Sequence, residues 1–128
     1  MRLLLDTHVF LWWISDDERI SRRGRKLIAD PDNEIFFSVA SAWELAIKAG
    51  LGRVELPENP DRFIPKQLAE NAFQPLPIQL RHALKVHSLP GLHRDPFDRM
   101  LVAQALCEDL AILSADRKLA NYPVKIIW

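Results

Sequence analysis

The sequence has one cysteine, four glycines and no excess of either charge, and each scarcity closes off a class of function. With Cys107 alone there is no intrachain disulfide and no cysteine cage for zinc. The scattered glycines leave no phosphate-cradling loop, and neither a G-x-S-x-G elbow nor a Cys–His pairing is present. Lys plus Arg and Asp plus Glu both count 17, so the chain is no general polyanion binder; any contact with nucleic acid has to come from a local basic patch or a metal site. No apolar run approaches the ~20 residues that span a bilayer. Asp6 comes too early for a signal-peptide core. These readings predict a soluble, cytoplasmic protein with no membrane association.

What is present is the material of a globular enzyme. With 128 residues, 48% of them hydrophobic and 27% charged, the chain suits one domain over residues 1–128. A domain of that size buries roughly two-thirds of the surface its unfolded chain exposes. Leu3-Leu4-Leu5, Ile35-Phe36-Phe37, Leu76-Pro77-Ile78, Ala111-Ile112-Leu113 and Val124 to Ile127 read as short buried strands. Between them fall helical stretches. One carries Val9, Phe10, Trp12 and Trp13, and another spans residues 19–29. A third is capped by Ser38 or Ser41 and closed near Gly50. A fourth runs from Pro65, as its first residue, to Phe73. Residues 79–87 follow, and then a long helix opened by Asp95-Pro96. Apolar strands alternating with helices predict an α/β fold of three layers, α/β/α, around a short central parallel sheet. In open sheets of this kind ligands gather beyond the carboxyl ends of the strands.

That is where the acids fall. Asp6 follows the first strand, Glu44 lies in the helix after the second, Asp116 follows the strand 111–113, and Asp95 and Asp98 open the helix that feeds it. Each has an ordinary explanation: Asp6 and Asp95 as helix caps, Glu44 in a Ser41-x-x-Glu44 capping box or paired with Lys48, Asp98 and Asp116 as first-turn acids. Two observations outweigh it. Asp98 heads a stripe of Leu101, Val102 and Ala105, so it faces the protein body, where an unpartnered carboxylate is costly. Asp6 ends a strand whose only earlier polar residue is Arg2. Carboxylates sharing one crevice repel, and a divalent cation removes that conflict. Hard oxygen ligands, with hydroxyls from Ser38, Ser41 and Ser114 nearby, select Mg2+ or Mn2+. Zinc is disfavoured: His82 and His87 are off a common helical face, and His8 and His93 stand alone. A carboxylate-held metal pair, about 3.5–4 Å apart, suits phosphodiester hydrolysis.

The segments Leu4-Leu5-Asp6-Thr7-His8, Ser38-Val-Ala-Ser41-Ala-Trp-Glu44, His93-Arg94-Asp95-Pro96-Phe97-Asp98-Arg99-Met100-Leu101 and Leu113-Ser114-Ala115-Asp116, in this order, resemble PIN-domain proteins, and more narrowly the VapC-type toxins of toxin–antitoxin pairs. The resemblance covers essentially the whole chain. It implies a Mg2+- or Mn2+-dependent endoribonuclease, a homodimer held in check by a cognate antitoxin, with Asp6, Glu44, Asp98 and Asp116 as catalytic and metal-binding acids. Asp95 is an additional acid of the same segment, either part of the site or a cap. Ser114, which can hydrogen-bond a carboxylate or a phosphate, Arg94 and Arg99 are the candidate RNA contacts, and the basic run 19–26 a further one.

Phe10, Trp12 and Trp13 crowd one short helix, either as core or as an exposed face for a partner. A non-catalytic interaction module of the same fold is the alternative to the nuclease. A phosphotransfer receiver is disfavoured, because it needs paired acids after the first strand and only Asp6 is there.

Overall fold

The computed structural model describes residues 1–91 and 95–128. Its centre is a five-stranded sheet, all parallel, in the order β3-β2-β1-β4-β5. The strands are β1 (Arg2–Leu5), β2 (Glu34–Ser38), β3 (Gln74–Leu76), β4 (Ala111–Leu113) and β5 (Ile126–Ile127). The helices are α1 (Thr7–Ile14), α2 (Arg22–Ala29), α3 (Val39–Gly50), α4 (Pro60–Glu70), α5 (Leu80–Lys85) and α6 (Pro96–Glu108), with 3₁₀ turns at Val86–Ser88 and Arg117–Asn121.

The three layers follow from the strand period of two. Leu3 and Leu5, Ile35 and Phe37, and Ala111 and Leu113 pack into one core with Val9 and Phe10 of α1, Ile28 of α2, Leu45 of α3, and Phe63 and Ile64 of α4. The intervening Leu4, Phe36 and Ile112 pack into the other core, with Leu101, Val102 and Ala105 of α6 and with Leu119 and Tyr122. Each of these strands is therefore apolar on both faces, the signature of a parallel sheet covered twice.

Several boundaries differ from the sequence reading. Pro60, not Pro65, is the first residue of α4, after Asn59, and Pro65 lies inside the helix. An interior proline costs a helix about 3 kcal/mol. Burying Phe63 and Ile64, worth roughly 1.5–3 kcal/mol each, offsets that. Gly50 is still helical; the left-handed residue beyond α3 is Gly52, at φ 70°. β3 stops at Leu76 and leaves Ile78 outside the sheet, and β5 is shorter than the apolar run 124–127. Ser38 caps α3, its hydroxyl accepting from the Ala40 N–H at 3.0 Å, so the Ser41 capping box does not form.

Phe10 is fully buried, while Trp12 and Trp13 are half-buried against the core. The exposed apolar stripe is elsewhere, at Val39, Trp43, Ile47 and Leu51, spaced four apart from α3 into its C-cap. Among the described residues no helix is long and apolar enough to cross a membrane.

Candidate active site

The carboxyl ends of β1, β2 and β4 lie side by side, and the segments leaving β1 and β4 carry Asp6 and Asp116. The Asp6 N–H donates to the Leu113 carbonyl at 3.0 Å, which ties the end of β1 to the end of β4. Asp6 then caps α1, accepting from the His8 N–H at 3.3 Å. Ser114 is buried beside it and donates its hydroxyl to Asp6 Oδ2 at 2.5 Å. The same Ser114 oxygen accepts from the Asp116 N–H at 3.0 Å, and Asp116 caps the following 3₁₀ turn through the Lys118 N–H at 2.9 Å. One serine thus links two candidate acids.

Glu44 is buried, 5% exposed. Lys48, one turn on, holds Glu44 Oε2 at 2.7 Å. The buried Thr7 hydroxyl lies 2.9 Å from Glu44 Oε1 and 2.8 Å from Ser41 Oγ, its single proton serving one of the two at a time. Asp95 caps α6 by accepting from the Phe97 N–H at 2.9 Å and the Asp98 N–H at 3.3 Å.

Asp98 is where these elements meet electrostatically. Burial pushes its carboxyl up to about 7, and the charges of Asp95, Asp6, Glu44 and Asp116, in that order, push it the same way. Asp95 from the same turn and three acids distant in sequence therefore act on Asp98.

Of the other candidates, Arg94 falls outside the described residues. Arg99 lies in α6 and donates to the carbonyls of Pro90 at 2.7 Å, Val86 at 3.1 Å and Leu89 at 3.5 Å, and to the Tyr122 hydroxyl at 3.3 Å. It ties the segment before α6 to the end of the chain. Thr7 was not singled out from the sequence. A threonine at the first position of a helix reads as ordinary, and only its placement opposite Ser41 and Glu44 shows its part.

Whether this arrangement suits a metal ion turns on donor type and on geometry. Among the described residues, no three His, Cys, Asp or Glu side chains are gathered closely enough to hold a metal ion between them. Asp6, Glu44, Asp95 and Asp116 each have an oxygen engaged by a hydroxyl, an ammonium or a helix N-terminus. The donors themselves are hard oxygens whose mutual repulsion a cation relieves. Mg2+ is commonly held by one or two carboxylates together with water and substrate phosphate oxygens rather than by an all-protein cage. By charge and donor type the residues fit such an ion.

Comparison with known proteins supplies the family. The family model for the PIN domain matches residues 3–125. Ribonuclease VapC22 of Mycobacterium tuberculosis is 31% identical over 124 residues, covering 94% of this chain and 91% of that one. Among solved structures, VapBC2 of Rickettsia felis, bound to a DNA fragment from its promoter, aligns with a TM-score of 0.75 at 16% identity, covering 99% of this chain and 98% of that one. FitAcB of Neisseria gonorrhoeae aligns with a TM-score of 0.65 at 17% identity, covering 98% and 96%. At those identities the structural matches speak for the fold alone.

Proposed function

This chain belongs to the PIN-domain family, and from that premise we propose that it is a divalent-metal-dependent endoribonuclease, the toxin of a toxin–antitoxin pair. The observation that carries the reading is the convergence of Asp6, Glu44, Asp95 and Asp116 on Asp98, whose carboxyl is pushed up to about 7. A strongly perturbed carboxyl at the strand ends of an α/β sheet is characteristic of a working site. The similarity to ribonuclease VapC22 supports RNA as the substrate. The complexes among the structural neighbours support an antitoxin as partner.

Asp6, Asp98, Glu44 and Asp116 are the residues that would hold Mg2+ or Mn2+, which would supply a water of lowered pKa and a positive charge for the leaving oxygen of a phosphodiester. The chain's own part is to fix the acids. Ser114 keeps Asp6 turned toward the β4 end, the Thr7 hydroxyl holds Glu44 Oε1, and Asp95 anchors the first turn of α6, on which Asp98 sits. The exposed stripe Val39, Trp43, Ile47 and Leu51 is the kind of apolar surface that a second copy or an antitoxin covers, and we read the protein as a cytoplasmic homodimer.

The test is cleavage of a mixed RNA pool by purified protein freed of any bound partner, with Mg2+, with Mn2+ and with EDTA, beside Asp6→Asn. Cuts that need the metal and vanish in Asp6→Asn support the nuclease. Cuts that survive in that variant, or no cuts with either metal, overturn it and return the non-catalytic interaction module of the same fold.

A further inference from the structure

A cavity of about 380 Å³ opens beside Asp6 and Asp116, and its other walls include His8, Trp12 and Arg19. We propose that it is a nucleobase subsite, holding an unpaired base of the nucleotide next to the scissile phosphate. The inference rests on the ribonuclease reading and deepens it.

The walls are graded in chemistry. Nearest the site are the carboxylates of Asp6 and Asp116. Next come two rings, His8 and Trp12, with centroids 6.1 Å apart and planes tilted by 34°. Beyond them the Arg19 guanidinium lies over the Trp12 ring, 5.2 Å from its centroid. Asp17 fixes that guanidinium in place, accepting from Nε at 3.1 Å and from Nη2 at 2.7 Å. That pair uses two of the five N–H donors of an arginine, so the plane is held while donors remain for a ligand. Trp12 is braced from behind by Trp128, at 5.8 Å between centroids.

The gradient continues into α2. A Cβ on Gly24 would lie 3.6 Å from the Trp128 ring, so α2 packs directly against the residue that braces Trp12. Arg22, Arg23 and Lys26 of that helix are exposed, whereas Arg25 is engaged by Asp16 and by the Asp17 carbonyl. The helix that carries most of the basic run thus packs against Trp128, which in turn packs against Trp12.

A nucleotide matches this order. A phosphate pressed against Asp6 and Asp116 is repelled, but a neutral base is not, and bases stack on aromatic rings and on guanidinium planes. The phosphates that follow then run toward Arg19 and α2, where cations meet them. The volume is at the lower end of the roughly 300–1,000 Å³ of small-molecule sites, which suits one base rather than a peptide segment. A protein partner has the apolar stripe of α3 to cover instead. A duplex cannot enter, because the base has to leave its stack.

The experiment uses the Asp98→Asn protein, so that RNA is bound and not cut. The probes are a labelled single-stranded RNA carrying a site cut by the parent protein, the same strand in a duplex, and the same strand lacking the base next to the cut. Expected are a more than tenfold preference for the single strand over the duplex, and a roughly tenfold loss of affinity with His8→Ala, Arg19→Met or Trp12→Leu, within the five- to hundredfold that one lost base stack is worth. The abasic strand should lose the same tenfold, and His8→Ala should then cost little more, because both changes remove one contact. Thermal midpoints of the variants separate lost contact from lost fold, and His8, with its side chain 65% exposed, is the substitution the fold tolerates best. If the parent cuts RNA while all three folded variants bind it unchanged, or if the abasic and intact strands bind equally, the subsite is wrong and the nuclease stands. If the parent neither cuts nor binds, the nuclease reading fails first and takes the subsite with it.

Discussion

Glu108 and Asp98 stand at opposite ends of α6, about 15 Å of helix apart, and their surroundings act on the same chemical group in opposite directions. Glu108, at the amino-terminal side of the sheet, receives the Arg81 guanidinium on both oxygens at 2.5 and 2.7 Å and the buried His82 ring at 3.3 Å. Arg81 holds the Glu108 carboxyl below the usual range. Arg2 also reaches this end, donating to the Glu108 carbonyl at 2.9 Å and pairing with Glu34. At the other end Asp98 is half-buried and pushed up to about 7 by its burial and by four more carboxylates. Pairing with an opposite charge, here one guanidinium nitrogen shared by both carboxylate oxygens, is how a fold makes a charge contribute to stability. Crowding like charges does the reverse, and a fold keeps such an arrangement only where another demand holds it. The difference separates the end that holds the molecule together from the end proposed as the catalytic site.

The sharpest way to break that comparison is to neutralise each acid in turn. Asp98→Asn should abolish RNA cleavage, by more than the roughly 10–100-fold typical of losing a supporting partner around a metal. In EDTA at neutral pH it should raise the thermal midpoint, because it removes a carboxyl whose ionised form burial and its neighbours disfavour. Glu108→Gln should do the opposite, leaving cleavage within about twofold of the parent and costing about 0.5–1 kcal/mol of stability through the weakened Arg81 and His82 contacts, a scale set by solvent screening of the pair. Cleavage rates and denaturant midpoints of the two proteins decide this. An Asp98→Asn protein that still cuts, or a Glu108→Gln protein that is as stable as the parent but inactive, dissolves the division of labour.

Much of this division was legible in the sequence because it depends on where strands stop. Leu3-Leu4-Leu5 followed by Asp6, and Ala111-Ile112-Leu113 followed by Ser114-Ala115-Asp116, locate the carboxyl edge of a parallel sheet before any coordinate is known. The position of Asp98 at the head of an apolar stripe gave its inward direction. The amino-terminal end was not legible: His82, Arg81 and Glu108 meet across two helices, and nothing local in the sequence pairs residues 81 and 108. Pro65 misled because a proline commonly opens a helix, while Pro60 five residues earlier takes that place and tertiary burial of Phe63 and Ile64 carries the helix through. The role of Thr7 as a holder of Glu44, and the stacking of Arg19 on Trp12, depend on side-chain approach that no periodicity encodes.

pH sharpens the comparison further. The Asp98 carboxyl keeps its proton in the folded state up to about pH 7, whereas its ordinary value is 3.8. Between those values the folded chain holds more protons than the unfolded chain, so this group's contribution to stability falls as pH rises through the window. Glu108 has the opposite sign. Its lowered carboxyl contributes stability that is present above its ordinary 4.5 and is lost as pH falls. In EDTA, the midpoint gap by which Asp98→Asn exceeds the parent should therefore widen from pH 5 to pH 7.5 by a few degrees, since roughly 1 kcal/mol moves a domain of this size about 4 °C. A gap that stays constant or narrows means that the acids do not act on Asp98 as described. Adding Mg2+ or Mn2+ to the parent should close most of it.

The smallest effect tests how the two styles meet within one residue. Glu44 belongs to the crowded end, yet it is also paired, its Oε2 held by Lys48 at 2.7 Å in an i,i+4 bridge. If that ammonium stands in for the charge a metal ion brings, it competes with the ion for Glu44. Lys48→Met should then lower the half-saturating Mn2+ concentration by about twofold, the scale of a helical pair worth 0.3–0.5 kcal/mol, with little change in the saturated rate. Lys48→Arg, which keeps the charge, should restore the parent value. Calorimetric titration of Mn2+ into the RNA-free proteins reads the same quantity without turnover. A Lys48→Met protein that binds the ion more weakly makes Lys48 a residue that positions Glu44 for the metal, and the pairing at this end then serves the site as the pairing around Glu108 serves the fold.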